Sequence, residues 1–400
     1  MRAHVVVGLG FGDEGKGTMV DYLTRQAKGP VTVVRFNGGS QAGHNVVLPD
    51  GRHHTFAQFG SGTLLPNCST HLSRFMLVDP ITLMNEHAHL VSLGCPALHR
   101  LTISENALVI TEYHKRANVL RERRRGAAAH GTCGMGIGET QMLSTIEGID
   151  LRMGELYDIH SLRNRLTRIR DYYEKEFDCS DWPHEVDCSD WPHEVAVAME
   201  LHEIAQQLAV VPEGCPTGDL VFEGAQGVLL DEFHGFHPHT TWSTTTPHNA
   251  RTLLKEWGWT GTVETIGVTR TYHTRHGRGP FPTEGGSTVA EPHNGPDGSQ
   301  GAFRQGPLDL MLLNYAIQAC GGVDVLAVTH FDAPSRPVCV GYELDGKPIH
   351  QIPRKVDLED WSEAIQRVKP VMASGVIKMP LPVKYASSGP TYRDKWEKAE

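Results

Sequence analysis

A chain of 400 residues, 39% hydrophobic and with a formal charge of −10, is long enough to bury a large core. The charge is spread rather than gathered, which excludes a nucleic-acid footprint, and the basic run at 121–125 falls in a helical pattern and reads as a solvated face. Nothing near the N-terminus reads as a signal peptide, no apolar run reaches membrane-spanning length, and eight cysteines without a C-x-x-C pair read as reduced thiols, so a cytoplasmic protein with no membrane or nucleic-acid partner is expected.

Short apolar runs alternate with helical patterns along the chain. Those at 5–9, 31–36, 75–78, 108–111, 220–222, 262–268 and 323–328 read as buried strands, which predicts an α/β fold with a mainly parallel central sheet flanked by helices. The first run opens into Gly8-Leu-Gly-Phe-Gly-Asp-Glu-Gly-Lys-Gly-Thr18, which fits both G-x-G-x-x-G and the phosphate loop G-x-x-x-x-G-K. A dinucleotide site needs an acid at the end of the second strand, and Val34-Arg-Phe-Asn-Gly-Gly39 offers none there. The phosphate-loop reading keeps Lys16 as a point charge and the amides of Gly12, Gly15 and Gly17 as donors. Its weakness is Gly17, which stands where a metal-binding hydroxyl belongs, with Thr18 one position late. A carboxylate beside a polyphosphate repels it unless it holds a metal or moves a proton, so Asp13 becomes the expected metal ligand.

After the second strand, Gly38-Gly-Ser-Gln-Ala-Gly-His44 places a histidine in another glycine-rich turn. A lone histidine of this kind is usually structural. Two glycine loops leaving adjacent strand ends, one with Asp13 and Lys16 and one with His44, predict a site at the carboxyl edge of the sheet. Farther along, DCSDWPHEV occurs at 178–186 and again at 187–195, so 171–200 reads as a surface insertion on a single domain spanning 1–400. The Gly- and Pro-rich stretch 285–306 reads as a substrate lid. The carboxylate and histidines of Asp231-Glu-Phe-His-Gly-Phe-His-Pro-His239 read as a loop rather than a metal site.

These motifs resemble the adenylosuccinate synthetase family. Its G-D-E-G-K-G and G-G-x-x-A-G-H correspond to 12–17 and 38–44, and its R-G-A-x-x-x-G-T-T-G-R-G-I-G to 125–138. Its F-E-G-A-Q-G-x-L-L-D corresponds to 222–231, and 267–275, 279–284 and 340–345 follow in the family's order. The resemblance implies that family's phosphate-loop-like fold and a ligase, typically a homodimer. It phosphorylates O6 of an IMP-like 6-oxopurine nucleotide with GTP and Mg²⁺, then couples it to L-aspartate, giving adenylosuccinate in purine biosynthesis. Carried over, Asp13 takes the N1 proton and helps hold Mg²⁺ together with the Gly43 carbonyl. His44 is the acid facing the leaving phosphate, its pKa expected near neutrality, and Gln226 bonds the purine. The family's T-K-x-D guanine reader corresponds to Thr329-His-Phe-Asp332, with GTP favoured over ATP, and Ser387-Ser-Gly389-Pro matches the S-V-G-P that closes over the same nucleotide.

Four departures qualify the resemblance. Gln41 replaces Asn against the substrate; Cys133 replaces a Thr beside Thr132, leaving Thr132 and Thr241 as hydroxyl donors. The family's cross-subunit arginine has no counterpart in 139–148, and the arginine-rich aspartate loop keeps only Arg304. A different amine or a (d)GMP-like acceptor is therefore the alternative, although retention of Asp13 points to a hypoxanthine base. From other classes come a nucleotide-binding sensor without ligase activity and a plain phosphate-loop NTPase. A sensor needs no base and acid pair.

Overall fold

The three consecutive valines at 5–7 belong to a strand buried on both faces. In a parallel sheet covered by helices on each side, alternate side chains enter two different cores and both positions are apolar. In the computed structural model of the protein, Val5 and Val7 pack with Val34, Phe222, Leu253 and Leu313 on one face. Val6 packs with Val33, Val221, Ile266 and the helical residues Met19, Val20 and Leu23 on the other. Each such side chain contributes about 1.5–3 kcal/mol of burial. The structure describes residues 1–177, 191–286, 288–291, 301–334, 337–343, 346–351 and 381–398.

The main sheet runs in the order Lys395–Glu397, Val383–Ser387, Val325–Thr329, Thr262–Arg270, Arg2–Gly8, Asp219–Glu223, Val31–Arg35, Cys68–Leu72, Leu101–Ser104, Val210–Val211. Every neighbouring pair is parallel except the edge pair Val383–Ser387 and Lys395–Glu397. The strands Arg2–Gly8, Val31–Arg35, Asp219–Glu223, Thr262–Arg270, Val325–Thr329 and Val383–Ser387 therefore end on one edge, and the loops that leave them converge there. Two smaller antiparallel pairs stand above this edge. His44–Val47 pairs with His53–Phe56, and Tyr272–His276 pairs with Phe303–Pro307.

Several expectations need correction. The runs at 75–78 and 108–111 hold short buried strands that stay outside the main sheet: Leu77–Val78 and Leu108–Val109 form their own parallel pair, and Leu108 also bridges to Arg152. Residues 121–125 end the helix Glu112–Arg125, yet Arg121 is ion-paired to Glu139 and Glu176, and Arg125 to Glu122, because both reach into a cleft. Residues 178–190 of the tandem repeat lie outside the described residues. In its described tail Trp191 stacks on Tyr173 with ring centroids 5.8 Å apart, His193 is exposed, and Glu194 begins the helix Glu194–Ala205. Of the expected lid, 287 and 292–300 lie outside the described residues, as does Asp345. Val289 is fastened to Gln305 by two hydrogen bonds of 2.8 Å. No helix among the described residues is long and apolar enough to cross a membrane.

Candidate active site

The glycine loop turns from the first strand into the helix Lys16–Arg25, with Gly12 and Gly15 at positive φ and Asp13 also left-handed at φ 60°. Glu14 organises it. Its Oε1 accepts from the amides of Gly10 (3.0 Å) and Gly12 (2.8 Å), and its Oε2 accepts from Lys16 Nζ at 2.6 Å. A Cβ on Gly8 would lie 2.3 Å from that carboxylate and one on Gly227 2.5 Å from it, so these glycines form the walls of its slot. The Lys16 ammonium, expected to be free for phosphate, is instead paired inside the loop, since a buried cation needs a counter-charge. Gly17 also acquires a reason: a Cβ there would sit 2.6 Å from His44 Cβ. The missing hydroxyl is the space His44 occupies.

His44 begins its strand with Nδ1 2.5 Å from Glu223 Oε1. Glu223 ends the strand beside Val31–Arg35, in register with Arg35, and also accepts from the Ser61 amide at 2.9 Å and from the Ser61 hydroxyl. Burial opposes its charge, but His44, Arg35 and Ser61 overcome this and hold its carboxyl at about 2. The same burial pushes His44 below its ordinary value against the pull of Glu223, with Arg35 and Lys16 adding to the depression. The protein surroundings thus hold His44 below the near-neutral value expected of it. Across the cleft, burial also opposes the Asp13 charge. The hydrogen bond from His276 Nε2 at 2.8 Å and the fields of His276, Arg270 and Lys16 nonetheless hold Asp13 below the usual carboxylate value.

Both groups line one cleft of about 1400 Å³, larger than the roughly 300–1,000 Å³ typical of a single small-ligand pocket. Gly12, Gly15, Gly17, Thr18, Gln41, Gly43, Thr132, Cys133, Gln226, Thr241, Asp332, Ser387 and Gly389 line it too. Gln226 is left-handed at φ 57° with its side-chain oxygen buried and unpartnered, and both polar atoms of the Gln41 amide are likewise buried without a partner. Orphaned buried amides of this kind mark a place where a polar ligand completes the bonding.

At one end the strand Val325–Thr329 delivers the residues that the sequence motif expects to read a base. Thr329 Oγ1 donates to Glu14 O at 2.7 Å, His330 is left-handed at φ 64°, and the Phe331 amide donates to Ser387 O at 3.0 Å. Burial and Arg270 push His330 well below its ordinary value. Thr18 Oγ1 donates to Pro390 O at 3.2 Å, and Lys395 Nζ donates to Thr391 O at 2.7 Å. The turn carrying Ser387 and Gly389 is thereby closed onto the glycine loop.

At the other end the loop with Thr132 and Cys133 is braced by Glu122, which accepts from the amides of Gly131 (2.8 Å) and Thr132 (3.1 Å). Burial raises the Cys133 thiol, which makes it a poor donor. Arg304 does not line the cleft, contrary to the sequence reading. Its guanidinium is held by Glu284 at 2.7 Å and by Gly279 O at 2.9 Å. Arg275 and Arg278 line this end of the cleft, together with the imidazoles of His130 and His239. Arg278 Nη1 donates to Ala127 O (2.6 Å) and Ala129 O (3.2 Å), beside the Thr132 loop. Burial and then Arg275, His130, Arg278 and Arg304 push His239 down, and burial with Arg304 lowers Arg275 to about 10, as expected of a corner rich in positive charge. Glu14 and Glu223 lay inside recognised motifs without a role; Arg278 and His276 carried no motif signal at all.

Comparison with known proteins follows the same lines. The chain matches the adenylosuccinate synthetase family over residues 5–374. It is 34% identical to the adenylosuccinate synthetase of Thermoplasma volcanium and 32% identical to adenylosuccinate synthetase 1 of Cupriavidus pinatubonensis, in each case across 92% of this chain and 84% of that protein. Its fold is similar to that of the fully ligated adenylosuccinate synthetase from Plasmodium falciparum, with a TM-score of 0.79, 21% identity and 99% of each chain covered. It is also similar, at a TM-score of 0.64 and 19% identity over 99% of this chain and 95% of that one, to a cyanophage S-2L succinoaminodeoxyadenylate synthetase bound to dGMP and dATP.

Proposed function

The chain belongs to the adenylosuccinate synthetase family and is a ligase that forms a carbon–nitrogen bond, and from that premise we propose how its cleft divides the work. A 6-oxopurine nucleotide lies with its base against Gln226 and Asp13, and Asp13 takes the N1 proton so that O6 becomes nucleophilic. GTP lies along the glycine loop with its base at Asp332 and the Ser387–Gly389 turn, and its γ-phosphoryl passes to O6 with His44 as the proton donor. Aspartate then displaces the phosphate. The observation that carries this reading is the position of Asp13, Lys16, His44 and Gln226 around one cleft lined with orphaned amides. A plain NTPase has no use for the acceptor end, and a sensor has no use for the His44–Glu223 pair.

Asp13 and the Gly43 carbonyl fit Mg²⁺, a hard cation that takes oxygen ligands and completes its shell with phosphate oxygens. When bound it neutralises charge on the transferring phosphoryl group. A cytoplasmic location and a homodimer complete the proposal.

The test is phosphate release with Mg²⁺ and GTP or ATP, with and without IMP, across a panel of amino acids, with products read by mass. Turnover that needs IMP and aspartate and yields adenylosuccinate supports the assignment. Turnover on another amine or on dGMP selects the alternative, which the capture of Arg304 by Glu284 favours. Phosphate release indifferent to any acceptor removes the ligase reading.

Two variants probe the ends of the cleft. Asp332→Asn exchanges a double acceptor for a mixed amide that cannot accept from both the N1 and N2 donors of guanine. It is expected to raise KM for GTP by about tenfold or more while KM for the acceptor stays put. Arg278→Ala removes a cation beside the Thr132 loop and is expected to raise KM for the acceptor nucleotide by about tenfold, with KM for GTP unchanged. The reverse pattern in either variant would exchange the two ends.

A further inference from the structure

We propose that His276 is the positioning residue for Asp13, fixing the direction of the base and tying it to the ribbon that leads into the expected lid. The proposal rests on the assignment of Asp13 as base. Glu14, the neighbouring carboxylate, is held by the Gly10 and Gly12 amides and by Lys16 Nζ. Asp13 is held by His276 alone among the described residues, through Oδ2 at 2.8 Å, and its side chain keeps about a third of its surface exposed. Its backbone is set by the loop at φ 60°, but that leaves the carboxylate free to rotate about its own bonds. The bond to His276 removes this freedom and reserves the other oxygen for the cleft, an arrangement in which one carboxylate oxygen is anchored and one works.

His276 is itself held in place. It ends the strand Tyr272–His276, is in register with Phe303 on the returning strand Phe303–Pro307, and its ring lies 4.9 Å from the Phe303 ring. Phe303 also lies within the 285–306 stretch and begins its returning strand. The stack therefore couples the ribbon's position to the direction of the base. Proton abstraction is sensitive to such alignment, since a displacement of about 1 Å can cost on the order of 100-fold.

The test compares His276→Leu, which keeps bulk against Phe303 but cannot donate, with His276→Gln, which can. His276→Leu is expected to lower kcat by about 10–100-fold with KM for GTP and acceptor nearly unchanged, and His276→Gln to recover most of that loss. Leucine with near-normal kcat, or glutamine no better than leucine, overturns the proposal. A second readout does not depend on substrate. In ¹⁵N-histidine-labelled protein, a low-field imidazole N–H signal is expected that vanishes in His276→Gln and moves in Asp13→Asn. A signal indifferent to Asp13 overturns the proposal whatever the activity. Wild-type protein with no acceptor-dependent turnover sinks the assignment of Asp13 instead, and the resonance still decides whether the contact exists.

Discussion

Asp13→Asn is expected to lower acceptor-dependent turnover by about 10²–10⁴-fold, the range general-base catalysis supplies. Asparagine is the informative replacement because it tolerates the left-handed backbone at φ 60° and can still accept from His276 Nε2, so the loop and the contact both persist. What disappears is the negative charge, which the His276 hydrogen bond and the fields of His276, Arg270 and Lys16 favour. Without it the N1 proton has no acceptor and the divalent cation loses a hard ligand. Thermal stability should stay close to that of the unaltered protein, because the side chain is partly exposed and, among the described residues, is hydrogen-bonded to His276 alone. Asp13→Ala should match it in turnover and fall somewhat lower in stability, since alanine at positive φ is strained. Steady-state phosphate release alongside a melting curve separates the two effects; an active Asp13→Asn protein would remove the base from the mechanism.

Glu223→Ala is the second large effect, and it falls on stability and turnover together. The deletion strips the buried Ser61 amide and hydroxyl and His44 Nδ1 of a shared acceptor in a dry site, and leaves the buried Arg35 charge without the carboxylate whose field it feels. Breaking one partner out of a buried charged pair costs about 3–5 kcal/mol, a large part of a domain's total stability. On the catalytic side Glu223 acts only through His44. Its kcat loss should therefore not exceed that of His44→Ala, and the double variant should be no slower than His44→Ala alone. Trapping the O6-phosphoryl nucleotide in the absence of amine gives the reading: none should accumulate in any of the three. Additive losses in the double variant would mean that Glu223 has a role of its own.

How much of this was legible in the sequence depended on whether the information was local. The valines at 5–7 and 31–36 announce strands because both faces of a parallel sheet are apolar. Cys68–Leu72 does not, because its central Thr70 and His71 are buried polar residues; His71 is satisfied by Thr102 and by Glu213, 31 and 142 residues away. Asp13 and His44 stood out through chemistry that makes sense within ten residues of chain. Glu223 gains its meaning from a partner 179 residues distant, brought there by the register of the sheet, and His276 from a ribbon that no periodicity predicts. Arg304 shows the opposite case. The sequence showed a cation in the right loop but not the Glu284 carboxylate that takes it.

The bond from Thr329 to the Glu14 carbonyl has a consequence for how such a chain can diverge. It fastens the glycine loop to the last residue before His330 and Asp332, so the side chains proposed to read the donor base lie just beyond the fastening. Substitutions at those two positions leave the clasp, and with it the path of the transferred phosphoryl group, where it was. A lineage can therefore exchange its nucleotide fuel without redesigning the product it makes, whereas a change at Thr329 alters both at once.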